Sequence, residues 1–139
     1  MPRPDRQGRL PLHYAALRDD EAEVQELLDG GEDPDVSDHA GFCPLHLAAQ
    51  EGATTCIRVL LDAGADPNRP NAAGNTPLFV AVFNSRGNGD NIRLLRAAGG
   101  DPFALNHSGQ TPVGLARLIA NFDVAKFFDD LPEPVRGDG

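Results

Sequence analysis

The apolar residues of this chain fall into short groups that recur about every 33 residues. Four such groups, LPLHYAAL, CPLHLAAQ, TPLFVAVF and TPVGLARL, begin at Leu10, Cys43, Thr76 and Thr111. Proline in second place suits the first position of a helix, because its φ is already helical and its missing amide costs no hydrogen bond there. The small residues that follow let a helix approach its neighbours closely. Each group therefore predicts a short inner helix.

A second apolar group follows each of the first ones and predicts an outer helix. Its members recur at spacings of three and four residues, as in Val24, Leu27 and Leu28, which marks one buried helical face. The sequences GGEDP, AGADP and AGGDP come after the first three of these groups. Glycine there supplies a left-handed helix end, and the residue before proline is pushed into an extended conformation.

Four polar stretches separate the copies: DRQG, DHAG, NAAG and NHSG. Each has Asp or Asn first and Gly fourth, which suits a type I turn and predicts a projecting hairpin tip. A turn with two short antiparallel helices cannot bury both of its faces alone, so the copies must stack against one another. Surface recognition is the function that such a stack favours.

The hairpin, the Thr-Pro-Leu-His-like start, the alanine pairs and the Gly-x-Asp ending together resemble the ankyrin repeat family, over about residues 5–131. The resemblance implies an all-α ankyrin-repeat solenoid of four helix-turn-helix repeats joined by β-hairpin-like loops. Its hairpin tips and inner helices form a concave face that usually binds another protein. The expected organisation is an N-terminal extension at 1–4, repeats at 5–37, 38–70 and 71–105, a capping repeat at 106–131, and a disordered tail at 132–139.

The chain departs from the family pattern at the start of the inner helices. In the family a threonine hydroxyl caps this helix and the histidine of the same motif bonds back to it. Repeats one and two keep only the histidines, His13 and His46, whereas repeats three and four keep only the threonines, Thr76 and Thr111. A lost cap costs roughly 0.5–2 kcal/mol, so we expect modest stability.

Repeat three carries two extra residues within NSRGNGDN, between its two helices. Length variation in a repeat loop is either a tolerated insertion or a site of specialisation, and the sequence leaves both alternatives open.

The charge balance narrows the class of partner. The chain of 139 residues has a formal net charge of −9, which argues against binding to duplex nucleic acid. No apolar run approaches the length of a membrane span, and no secretory signal precedes the repeats. We therefore expect a cytoplasmic protein that is a monomer when free and has no membrane or nucleic-acid partner. Cys43 and Cys56 are expected to be free thiols.

Catalytic and metal-binding patterns are missing from the sequence. There is no Gly-x-Ser-x-Gly motif, and the histidines of the inner helices already have structural positions. Cys43, His46, Cys56 and His39 do not have the spacing of paired zinc ligands. We expect no enzyme activity, no cofactor and no metal.

Ten acids and no basic residue lie between Asp19 and Asp38. One interpretation is a solvated helix face, on which acids near the helix start suit the dipole. The other is a surface that steers a basic partner, because patches of one sign raise association rates. The residues assigned to this acidic steering patch are Asp29, Glu32, Asp33 and Asp35.

The partner-binding residues are predicted from the positions that the repeat motif does not need for folding. They are Arg6, Gln7, Arg9, Leu17, Arg18, His39, Phe42, Gln50, Glu51, Asn75, Phe83, Asn84, His107 and Gln110. Phe42 and Phe83 are large and apolar where water should reach them, which is typical of an interface. Leu118 and Ile119 share that property or else pack inward as part of the cap.

Three functions compete at this stage. The first is a binding module that inhibits one protein; small acidic ankyrin proteins resemble bacterial immunity proteins, for which a basic toxin or nuclease would be a natural target. The alternative is a scaffold or regulatory subunit in a signalling or transcriptional assembly. The third, an enzyme, lacks any supporting motif.

Overall fold

Helices form the whole of the regular structure in the described part of the chain. The computed structural model describes residues 3–119 and 124–131, and these residues contain no strand. The inner helices are α1 (Pro11–Leu17), α3 (Pro44–Glu51), α5 (Pro77–Phe83) and α7 (Pro112–Leu118). The outer helices are α2 (Glu21–Asp29), α4 (Thr54–Asp62) and α6 (Asp90–Ala97), and a 3-10 turn follows at Ala125–Phe128. The predicted all-α solenoid is confirmed.

Each inner helix keeps one of the family's two capping interactions. His13 Nδ1 accepts the backbone amide of Leu10 at 3.0 Å, and His46 makes the equivalent bond in repeat two at 3.1 Å. In repeats three and four the hydroxyls of Thr76 and Thr111 instead accept an amide from the first turn of the helix, at 3.4 and 3.0 Å. The hydroxyl cap is therefore present in α5 and α7, whereas α1 and α3 have only the histidine bond to the residue before the helix.

The repeats stack through both layers of helices. Each inner helix packs against the next inner helix, and α2, α4 and α6 pack in the same order behind them. The predicted small residues make the close approach of the inner helices possible, and Ala15, Ala16 and Ala48 have no exposed surface. Within residues 3–119 and 124–131, no helix has the length and apolar character that crossing a bilayer requires.

The hairpin tips add a ladder of backbone hydrogen bonds between neighbouring repeats. Within a tip, the first side chain organises the turn: Asp38 Oδ1 accepts the amides of Ala40 and Phe42, both at 2.9 Å. Between tips, one amide of each repeat donates to a carbonyl of the preceding repeat at 2.8–3.0 Å, in the pairs His39 to Gln7, Ala72 to Ala40 and His107 to Ala73.

A second ladder runs along the segments that follow the outer helices. Asp35 Oδ1 accepts the amide of Asp66 at 2.9 Å. One repeat later, Asn68 Oδ1 accepts the amide of Asp101 at 2.7 Å, and its Nδ2 donates to the carbonyl of Gly99 at 2.9 Å. These side chains therefore hold adjacent repeats in register.

The second helical stretch predicted for repeat four is described only from residue 124 onward, where it forms a 3-10 turn at Ala125–Phe128. A side chain from the preceding repeat holds this turn. Arg96 donates to the carbonyl of Phe127 at 2.9 Å and to both carboxylate oxygens of Asp130 at 2.8 Å. Leu131 then bonds to the carbonyl of Phe128, three residues back, instead of continuing an α-helix. The tail predicted at 132–139 lies outside the described residues.

Candidate functional site

A groove opens on the concave face between repeats two and three. Its cavity of about 280 Å³ is the central groove, and its eight lining side chains are all uncharged. Four are apolar and four carry amides: Phe42, Phe79, Val80 and Phe83, with Gln50, Asn71, Asn75 and Asn84. A concave apolar surface with a few amide groups is the usual form of a recognition pocket.

Phe42 is held at the edge of the central groove by the repeat before it. Its carbonyl accepts a hydrogen bond from His13 Nε2 at 3.0 Å, and its amide donates to Asp38 at 2.9 Å. The ring also packs on that of His46, with centroids 5.5 Å apart. His46 Nε2 donates in the same way to the carbonyl of Asn75, at 2.8 Å. The two histidines thus fix the backbone of two lining residues.

These bonds define the chemical state of both histidines. Because Nδ1 accepts an amide and Nε2 donates to a carbonyl, each ring is neutral with its proton on Nε2. Burial lowers the pKa of His13 and of His46. The neutral rings therefore join repeats without adding charge to the core.

Helix α5 supplies the remaining apolar lining. Phe79 takes the place of the family's histidine and is only 7% exposed, as is its neighbour Val80 at 8%. Phe83, one turn further along the helix, is 70% exposed. A phenylalanine that leaves most of its ring in water has no packing role to account for it.

A second cavity of about 300 Å³ continues the central groove, because Gln50 and Asn84 line both. We call it the polar end, and its other lining residues are Glu51, Gly52 and Arg86. Arg86 belongs to the insertion of repeat three. The extra residues thus form part of the wall of a cavity on the concave face.

The predicted partner-binding residues divide into two sets. Phe42, Gln50, Asn75, Phe83 and Asn84 line the central groove, and Glu51 lines the polar end. The others line neither cavity; they are the exposed Arg6, Gln7, Arg18, His39, His107 and Gln110 and the half-buried Arg9 and Leu17. Leu118 and Ile119 were expected either to be exposed or to pack inward as part of the cap. Leu118 is 72% exposed, whereas Ile119 packs partly on the core.

Several of these side chains also serve the fold. Arg9 Nε pairs with the Asp38 carboxylate of the next repeat at 3.1 Å. Asn75 Oδ1 accepts Asn106 Nδ2 at 2.8 Å, which links repeats three and four where no histidine does so. Substituting either residue would therefore change stability together with any binding.

Sequence reasoning missed five lining residues: Phe79, Val80, Asn71, Gly52 and Arg86. The first two lie in the part of the motif that is assigned to folding, although the change from histidine to phenylalanine was a visible signal. Arg86 lies in the insertion, for which the motif gives no register.

None of the acids in the steering patch lines the groove. Asp29 ends α2, which packs on α1 and α4, and the other three residues follow it. Asp35 bonds to the next repeat, and Asp33 accepts the amide of Asp35 at 2.8 Å. Part of the patch is therefore structural, and the exposed carboxylate of Asp29 is better placed to act at long range.

The thiols offer no nucleophile near the site. Both cysteines are free and buried, and burial raises the pKa of Cys43 to about 11 and that of Cys56 to about 12. A thiol with such a pKa remains protonated at neutral pH. Within the described ranges, no cluster of three or more His, Cys, Asp or Glu side chains could hold a metal ion.

Comparison with known families gives one match. The family model described as ankyrin repeats (3 copies) matches residues 12–106, which include both cavities. Comparison with curated proteins found no match.

Proposed function

The chain belongs to the ankyrin repeat family, and on that basis we propose that it binds one partner protein through the central groove of its concave face. Ankyrin repeats are generally protein–protein interaction modules, and the family fold is non-catalytic. The function proposed is thus recognition without chemistry.

The observation that carries this proposal is the exposed aromatic lining of the groove. Phe83 is 70% exposed beside the half-buried Phe42, and amide side chains surround both. Aromatic residues in such settings are enriched among the few positions that dominate binding energy. Amides at the rim can bond to the main chain of a partner without imposing a charge.

We further propose that the partner has a basic surface and that binding inhibits it, as an immunity protein inhibits a toxin or nuclease. The support is the net charge of −9 and the acids along α2, which would attract a basic protein over long distances. The acids would raise the association rate of the partner, and the groove would lower its dissociation rate. A scaffold would use the same groove without abolishing the partner's activity.

Affinity capture with quantitative mass spectrometry tests the proposal. The wild-type chain and Phe83→Ala are each immobilised and exposed to extract from the organism that encodes the chain. The matched control is Phe103→Ala, because Phe103 is also an exposed phenylalanine, at 42%, but lines neither cavity. We expect a protein that the wild type and the control retain and the groove variant loses.

The captured protein is then purified and titrated calorimetrically. Phe42→Ala and Phe83→Ala are each expected to weaken binding by about 2–4 kcal/mol. The melting temperature of Phe83→Ala should stay close to that of the parent, whereas that of Phe42→Ala should fall because its ring packs on His46. Equal affinity of both variants and the parent would refute the groove as the binding site. Loss of the partner's activity on binding separates an inhibitor from a scaffold.

A further inference from the structure

Arg86 occupies a backbone conformation that arginine rarely adopts. Its φ is +50° and that of Gly87 is +90°, within a turn closed by the amide of Asn88 and the carbonyl of Ser85 at 2.9 Å. Glycine, asparagine and aspartate adopt this conformation at little cost. The other described non-glycine residue with positive φ is an aspartate, Asp19. Residues other than glycine, asparagine and aspartate that adopt this strained conformation concentrate at functional sites. The turn alone therefore does not explain why position 86 is an arginine.

The guanidinium of Arg86 has no hydrogen bond or ion pair with any described residue. Most arginines elsewhere do have one; Arg9, Arg18 and Arg96, for example, each pair with a carboxylate at 2.6–3.1 Å. Glu51, which also lines the polar end, accepts a hydrogen bond from Gln50 Nε2 at 3.4 Å. At the polar end, the N–H donors of Arg86 therefore have no acceptor in the described part of the protein. A carboxylate can accept two hydrogen bonds from a guanidinium group.

The separation of the two cavities sets the spacing of a ligand. Phe83 lines the central groove and Arg86 lines the polar end three positions later, so their Cα atoms are at most about 11 Å apart. An extended chain covers such a distance in at most about three residues. Residues two apart in an extended chain also point to the same side.

We propose that the groove binds an extended segment of the partner protein that places a large apolar side chain between Phe42 and Phe83 and a carboxylate, two residues away, on Arg86. The inference rests on the proposed function and adds the sequence pattern that the groove selects. Arg86 is its specificity-determining residue. A partner that is basic overall meets this requirement when its docking segment carries one acidic residue next to an apolar anchor.

The test is selection from a phage-displayed library of random seven-residue peptides. The wild type is expected to enrich peptides with an aromatic or large aliphatic residue and Asp or Glu two positions away. Arg86→Glu is expected to reverse the second preference to Lys or Arg, with a change of at least about tenfold in the ratio of acidic to basic residues. Arg86→Gly is expected to retain the apolar preference, lose the acidic one and melt no lower than the parent, since glycine relieves the strained turn.

The control for the charge change is Arg58→Glu. Arg58 is exposed on α4, lines neither cavity of the concave face, and undergoes the same reversal of charge. This variant is expected to select the same peptides as the wild type.

The remaining outcomes separate this inference from the proposed function. Wild-type enrichment of apolar residues without an acid two positions away, or with a basic residue bound by Glu51 instead, would overturn the assignment of Arg86 and leave the groove as a binding site. If the wild type selects no more strongly than Phe83→Ala, then the groove does not bind an extended segment and this inference fails, whereas the proposed function is decided by the capture and titration of the partner protein.

Discussion

Replacing Gly41 by alanine tests how strongly the hairpin tips hold the repeats together. Gly41 has a φ of +80°, and an alanine in the left-handed region costs about 1–2 kcal/mol. The added Cβ would lie 2.8 Å from the amide nitrogen of Ala72 and 3.0 Å from the Cα of Asn71. Both are backbone atoms, so the tips of repeats two and three must move apart. That movement strains the bond of 2.9 Å between Ala72 and Ala40, worth about 0.5–1.5 kcal/mol.

Gly109 provides the control that separates these two costs. It occupies the equivalent place in repeat four with a φ of +75°, but a Cβ there would meet nothing within 4 Å. Gly109→Ala is therefore expected to cost only the backbone strain, and Gly41→Ala about 1.5–3.5 kcal/mol in all. Gly74→Ala controls for position in the stack, because Gly74 and Gly109 lie in neighbouring repeats of the same half. A Cβ at Gly74 would lie 2.9 Å from the amide nitrogen of His107.

Urea unfolding followed by circular dichroism at about 222 nm gives the three free energies, provided that the slopes with denaturant agree. The expected order of loss places Gly41→Ala and Gly74→Ala above Gly109→Ala by about 0.5–1.5 kcal/mol. Equal losses of unfolding free energy in all three variants would mean that the contacts and hydrogen bonds between hairpin tips do not stabilise the stack.

Two further predictions concern pH and salt. Lowering the pH from about 7.5 to about 5.5 should destabilise the fold, because burial lowers the pKa of His13 and His46 below 6.5 and the unfolded chain then binds protons that the folded chain does not. His46→Asn should weaken the dependence of the urea unfolding midpoint on pH. His39→Gln, on an exposed hairpin tip, should leave this dependence unchanged. A parent midpoint that does not change with pH would contradict a neutral, buried state of the two histidines. The association rate of the captured partner should fall with added salt, as stopped-flow fluorescence would show, with the dissociation rate little changed. It should also fall in the double variant Glu26→Gln with Asp29→Asn, which neutralises two exposed acids of α2. A rate independent of salt would mean that the acids form only a solvated face.

The repeat architecture could be predicted because its determinants are local. Pro44 begins an inner helix, Asp38 organises the tip before it and Gly64 supplies the left-handed end after α4, each through bonds or dihedral angles within a few residues. The proline and the tip residue recur in all four copies and the glycine in the first three, so an error in one copy is corrected by the others. This is why the seven α-helices of the described residues could be placed from the repeat spacing together with these local signals.

The end of the stack could not be predicted because its determinant is distant in sequence. The carbonyl of Phe127 is taken by Arg96, 31 residues earlier, and the same guanidinium holds Asp130. Apolar spacing in repeat four indicated which side chains are buried, and Phe128 is fully buried. It could not indicate that the backbone between them forms a 3-10 turn.

The candidate site was predicted only in part because one motif position serves two purposes. Where that position is histidine, as at His13 and His46, the ring bonds to a carbonyl of the next repeat and holds Phe42 and Asn75 in place. Where it is Phe79, no such bond reaches repeat four, and the ring lines the central groove instead. The residue at this position supports either the stack or the groove. Of the two repeats that have lost the histidine, repeat three supplies three of the four apolar side chains that line the central groove. A departure from the repeat pattern that predicts a loss of stability from the sequence is, in the folded chain, part of the lining of the groove that we propose as the binding site.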